Sequence, residues 1–130
     1  MKIEITGLHH IAIICSDYSI SKDFYLNTLG FTLKAEIFRA ERNSWKGDLI
    51  LNGNYLIELF YFPEAPPRPS FPEAQGLRHL AFSVNDVLQT QLALQSFGIE
   101  CEEIRTDEYT GKQFFFIQDP DGLPVEFYEL

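Results

Sequence analysis

The chain has 130 residues, 45% of them hydrophobic and 15% aromatic, and a formal charge of −9. That length supports a single domain with its own core, and the acidic balance excludes a nucleic-acid binder, whose phosphates demand a basic footprint. No stretch nears the roughly 20 apolar residues of a membrane span, and no basic cluster marks a lipid surface.

The first residues, Met1-Lys2-Ile3-Glu4-Ile5-Thr6, lack the apolar run of a signal peptide. Residues 8–15 then read as a strand. Ser16-Asp17 caps a helix that carries Ile20, Phe24, Tyr25 and Leu29 and stops at Gly30. Phe31 to about Arg39 reads as a strand. Leu49-Ile50-Leu51 and Tyr55 to Phe62 flank Asn52-Gly53-Asn54, a hairpin signal because Asn-Gly accepts positive φ. Residues 63–73 hold five of the seven prolines and read as an extended connector. Beyond it, residues 77–84 form a strand, and Asp86 caps a helix with Leu88, Leu92 and Phe97 that ends at Gly98. Residues 99–105 are expected as a further strand. Phe114 to Ile117 and Val125 to Tyr128 flank the turn Asp119-Pro120-Asp121-Gly122. The cysteines, Cys15 and Cys101, lie outside any CxxC pair and read as free, buried thiols of a cytoplasmic protein.

The second half repeats the first. Gly7-Leu8-His9-His10-Ile11-Ala12 returns as Gly76-Leu77-Arg78-His79-Leu80-Ala81, and Glu58 of Leu56-Ile57-Glu58-Leu59-Phe60 meets Glu126 of Pro124-Val125-Glu126-Phe127-Tyr128. Each half is therefore β-α-β-β-β, with mostly antiparallel pairing because most connections are short. Alternation along a strand sets His10, Ala12 and Ile14 on one face and Ile11, Ile13 and Cys15 on the other. It likewise groups His79 with Ala81 and Ser83, and Glu58 with Leu56, Phe60 and Phe62. Small neighbours suit a cavity floor, and a carboxylate among apolar side chains costs several kcal/mol unless paired or metal-bound. Two His and two Glu at matching positions make His10, Glu58, His79 and Glu126 candidate ligands of a divalent Zn, Ni, Co, Mn or Fe ion. His9 has Arg78 as its counterpart and, as a neighbour of His10 along a strand, is expected on the opposite face. The Asp119–Gly122 turn lacks the ligand spacing of a calcium loop.

These motifs resemble the vicinal oxygen chelate superfamily, which includes glyoxalase I, extradiol dioxygenases and fosfomycin- or bleomycin-resistance proteins. The pieces that carry the likeness are Leu8-His9-His10-Ile11-Ala12-Ile13, Phe24-Tyr25 with Leu29-Gly30-Phe31, Arg78-His79-Leu80-Ala81-Phe82, and Asp119-Pro120-Asp121-Gly122 followed by Glu126. The resemblance implies an α+β fold of paired βαβββ modules, about 7–62 and 76–130 with the Pro-rich connector 63–75 between them, forming one domain whose curved, mostly antiparallel sheet surrounds a metal cavity. It implies that the metal ligands are His10, Glu58, His79 and Glu126. It also implies a lactoylglutathione lyase-like enzyme, acting on a small vicinal-oxygen substrate by proton abstraction and enediolate stabilisation. Glu126 takes the role of catalytic base by similarity, with Glu58 as second candidate. Glyoxalase I-like relatives often form dimers with the metal site shared across chains, so the resemblance implies a homodimer, with the site either within one chain or across two.

The likeness departs where bacterial glyoxalase I contacts glutathione. The Arg and Asn expected there are Ile14 and Phe62, which are apolar and cannot supply those contacts. A different substrate, smaller or more apolar, is expected. Two alternatives remain at this point: a non-haem Fe(II) dioxygenase using His10, His79 and Glu126, and an antibiotic-binding resistance protein.

Overall fold

The sequence repeat becomes two copies of one strand order. The computed structural model describes residues 1–130, which divide into compact units at Met1–Ala65 and Pro66–Leu130. The first unit runs β1 (Ile11–Cys15), α1 (Tyr18–Asp23), β2 (Thr32–Arg39), β3 (Ser44–Leu51) and β4 (Asn54–Tyr61), with sheet order β1-β4-β3-β2. The second runs β5 (Leu80–Val84), α2 (Val87–Ser96), β6 (Arg105–Thr106), β7 (Gln113–Gln118) and β8 (Pro124–Glu129), with order β5-β8-β7-β6. Each sheet is mixed. The first strand joins the last in parallel, and the other two pairings are antiparallel. The α+β class and the βαβββ order expected from the sequence are those of the protein.

Local signals account for most element ends. The Asp17 and Asp86 carboxylates accept from Ile20 N at 3.1 Å and Gln89 N at 2.9 Å, so each helix begins on a side-chain cap. The turn between β3 and β4 is built on Asn52 (φ 50°) and Gly53 (φ 79°), both left-handed, as a two-residue hairpin requires.

The helix-facing side of each sheet forms the core. Ile13, Cys15, Leu49, Ile57 and Leu59 are buried with Tyr25 in the first unit. Leu80, Phe115, Ile117, Val125 and Phe127 are buried with Leu94 in the second. Burying each such Ile, Leu or Phe fully contributes about 1.5–3 kcal/mol. The other face of the first strand is left open: Ala12 and Ile14 in one unit, Ala81 and Ser83 in the other, are exposed.

Several sequence expectations are corrected. His9 and His10 precede β1 instead of lying within it, and His79 precedes β5. The first helix does not stay α-helical to Leu29; it changes at Phe24–Thr28 to a π-helical turn, closed by Leu29 N donating to Phe24 O at 3.0 Å. The strand expected over 99–105 is reduced to Arg105–Thr106. Upstream, Glu102 N does donate to Phe116 O at 2.9 Å, but the Glu102 carbonyl accepts from the Gln91 side chain of α2. Neither cysteine is in a disulfide; Cys15 is buried and Cys101 half-buried. The Pro-rich stretch is no loose spacer along residues 68–71. Arg68 donates to the carbonyls of Leu77 (3.0 Å) and Arg78 (2.8 Å), and Ser70 Oγ donates to Gly122 O at 2.9 Å. No helix is long and apolar enough to cross a membrane.

Candidate metal centre

Parallel pairing of the first and last strands is what joins each His to its Glu. In the first unit Ile11 pairs with Ile57 and Ala12 with Glu58. This register carries His10, the residue just ahead of β1, alongside the Glu58 carboxylate, with Nε2 to Oε1 3.7 Å. In the second unit Leu80 pairs with Val125 and Ala81 with Glu126, and His79 Nε2 lies 2.9 Å from Glu126 Oε2. The carboxylate side chains are 17% and 13% exposed and the imidazoles 35% and 31%. The carboxylates are thus largely withdrawn from water while each His keeps an accessible edge.

The donor set suits a divalent metal. With ligand bonds of about 2.1 Å, two cis ligands stand roughly 3.0–3.6 Å apart, and the two His–Glu separations of 3.7 and 2.9 Å lie close to that range. Imidazole nitrogen with carboxylate oxygen is a borderline set fit for Zn, Ni, Co, Mn or Fe. Within neither unit are three or more His, Cys, Asp or Glu side chains arranged so that they could hold a metal ion. Each unit carries one His–Glu pair.

The half-sites have different walls. Opposite Glu58 on β3 is Asp48; at the matching place opposite Glu126 on β7 is Phe116. Lys46 Nζ reaches Asp48 Oδ1 at 2.8 Å and Glu58 Oε2 at 3.4 Å. The Tyr55 hydroxyl lies 2.9 Å from Asp48 Oδ1 and 3.2 Å from Glu58 Oε2. Burial pushes the Asp48 carboxyl up, but hydrogen bonds from Lys46 and Tyr55 outweigh it and leave the group below the usual carboxylate range. The Asp48 hydrogen bond, working against partial burial, holds the Lys46 ammonium above its ordinary range. Burial and then the Asp48 contact push the Tyr55 phenol well up, so it stays protonated. Around Glu126 the character is aromatic. His79 meets Phe116 edge-on at 5.0 Å, Phe114 stacks with Tyr128, and Arg105 lies over Phe114 and Phe116. Within that unit His79 is the ion-pair partner of Glu126.

His9 does not take the opposite side from His10. Its Nδ1 is 2.7 Å from His10 Nδ1, and its ring meets Tyr55 edge-on at 5.4 Å. Strict alternation does not reach these residues, because both lie ahead of β1. The second nitrogen of His10 is therefore engaged while Nε2 faces Glu58, the arrangement that fixes an imidazole's tautomer and orientation. Sequence reasoning missed Tyr55, Asp48 and Lys46. Of the two departures from glutathione contacts, Ile14 is 54% exposed and Phe62 lies under the Arg39 guanidinium at 5.7 Å.

The profile of the Glyoxalase/Bleomycin resistance protein/Dioxygenase superfamily matches residues 7–127, and the chain belongs to that superfamily. It is 61% identical to the YaeR protein of Escherichia coli (strain K12) over 122 residues, covering 94% of this chain and 95% of that one. It is 56% identical to the YwkD protein of Bacillus subtilis (strain 168) over 125 residues, covering 96% and 98%. A glyoxalase family protein from Enterococcus faecalis superposes with a TM-score of 0.89 at 46% identity, covering 95% of this chain and 98% of that one. The fold alone is shared with the fosfomycin resistance protein FosX from Listeria monocytogenes, solved with Mn(II) and sulfate ion, at a TM-score of 0.73 and 16% identity over 98% and 94% of the two chains.

Proposed function

We propose that this protein is a divalent-metal-dependent, glyoxalase-like lyase or isomerase. It acts on a small molecule with vicinal oxygens by removing a proton beside a carbonyl. The observation that carries this reading is the pair of His–Glu contacts at matching positions of the repeat, at 3.7 and 2.9 Å. His10 with Glu58, and His79 with Glu126, are the pairs that would supply metal ligands. When bound, the ion would supply Lewis-acid polarisation of the substrate's oxygens.

Proton transfer falls to the glutamates. Glu126 is the base. In its own unit it answers to His79 and sits against Phe116, so its carboxylate has few competing partners. Glu58, shared with Lys46 and Tyr55, is the second candidate and the firmer ligand. A substrate smaller or more apolar than a glutathione adduct fits better, because Ile14 and Phe62 are apolar where glutathione contacts would fall. The protein works in the cytoplasm, a reading supported by two cysteines that form no disulfide, and acts as a homodimer.

The test is elemental analysis of protein purified anaerobically and untreated. About one divalent ion per chain is expected, and His79→Ala should lose most of it and lower thermal stability through lost binding. Full metal content in His79→Ala would sink the assignment.

A further inference from the structure

Tyr55 faces the wrong way for a regular strand. Along β4, Ile57 and Leu59 point into the core and are fully buried, and alternation would send Tyr55 with them. The register prevents this. Leu49 pairs with Ile57, yet the next residue, Ile50, pairs with Tyr55. One step on β3 answers two on β4, so Leu56 is the extra residue of a β-bulge. A bulge re-aims the side chains beside it. Here it turns Tyr55 onto the face of Glu58.

What the re-aimed side chain touches is specific. Its ring lies parallel to His10, with centroids 5.2 Å apart and planes within 4°. Its hydroxyl lies 2.9 Å from Asp48 Oδ1 and 3.2 Å from Glu58 Oε2. Lys46 closes the group by contacting both carboxylates. One residue therefore contacts both members of the first His–Glu pair. The second unit has nothing equivalent. Its β7–β8 pairing runs from Phe114–Tyr128 to Gln118–Pro124 in unbroken register, and the places of Lys46 and Asp48 are taken by Phe114 and Phe116.

We propose that Tyr55 is a positioning residue for the His10–Glu58 half-site, set in place by the bulge at Leu56 and anchored by Asp48 and Lys46. The inference rests on the metal-binding reading above. Its stack fixes the plane of the His10 ring, and its hydroxyl fixes one oxygen of Glu58, so that both ligands are ordered before an ion arrives. The second half-site is left to adjust. The division of labour is one rigid pair and one pliable pair, built from the same repeat.

The experiment titrates Co(II) into the metal-free full-length protein and follows both affinity and the visible absorption bands. Tyr55→Phe keeps the ring and removes the hydroxyl. It should weaken Co(II) binding by about 10-fold, the scale of outer-shell partners, and shift the bands. Tyr55→Leu, which also removes the stack, should weaken binding further. Asp48→Asn frees the hydroxyl from its anchor without touching either ligand. It should act in the same direction and serves if a Tyr55 variant fails to fold. Thermal melting of the metal-free variants separates this effect from general destabilisation. Unchanged affinity and spectrum in Tyr55→Phe would overturn the positioning role while leaving the metal reading intact. No Co(II) uptake by the wild type would overturn both.

Discussion

Glu58 and Glu126 occupy matching positions but live among different neighbours, and the roles proposed for them rest on that difference. A carboxylate held by a lysine and a tyrosine has its orientation fixed; one that faces a single imidazole and a phenyl ring can leave its partner at lower cost. A general base acts on the transition state more than on bound substrate. Glu126→Gln should therefore cut kcat by about 100-fold or more, the usual scale of general acid–base catalysis, with a much smaller change in KM. Steady-state kinetics with a turned-over substrate would check it, and an equal loss in Glu58→Gln with none in Glu126→Gln would reverse the two roles.

Both helices begin alike, on Asp17 and Asp86, each accepting one backbone hydrogen bond. Asp86→Ala should cost about 1 kcal/mol, read as a lower midpoint in urea with unchanged slope. These caps were plain in the sequence, because capping is local chemistry with a fixed spacing. The His and Glu of each half were legible through the repeat, and the Asn52-Gly53 turn through its dipeptide. Tyr55 and Asp48 were not. A two-residue turn at Asn52-Gly53, continued regularly, sets Asp48 opposite Ile57 and sends Tyr55 to the core side. Only the extra residue at Leu56 moves Asp48 opposite Glu58. No residue type announces that bulge, since no Gly or Pro marks it. The loss of most of the strand at 99–105 was equally hidden. There the Gln91 side chain of α2 donates to the Glu102 carbonyl, a tertiary contact that no local pattern encodes.

For the molecule as a whole, the exposed margin of the first sheet bears on assembly. The eight-residue strand β2 ends that sheet with one side unpaired, and Ile37 and Phe38 on it are 55% and 44% exposed. Long apolar edges invite pairing with another chain. A homodimer of roughly 30 kDa, twice the 15.0 kDa chain, is therefore expected. Light scattering at micromolar concentration decides it, and a 15.0 kDa particle would refute the dimer.

The parallel seam between the first and last strands of each unit has a consequence for how the protein comes into being. β2, β3 and β4 follow one another through short turns, so their pairings close small loops and form early. β1 must wait for β4, which lies beyond all of them in the chain, before it has a partner. It is also the shorter of the sheet's two edge strands, five residues against eight in β2, and so has fewer pairings to hold it. The nascent unit therefore has its carboxylate in place before its imidazole arrives, and a native unit that breathes loses the imidazole first. On the proposed metal-binding reading, metal capture would report that the seam has closed, and a bound ion would be the latch that keeps it shut.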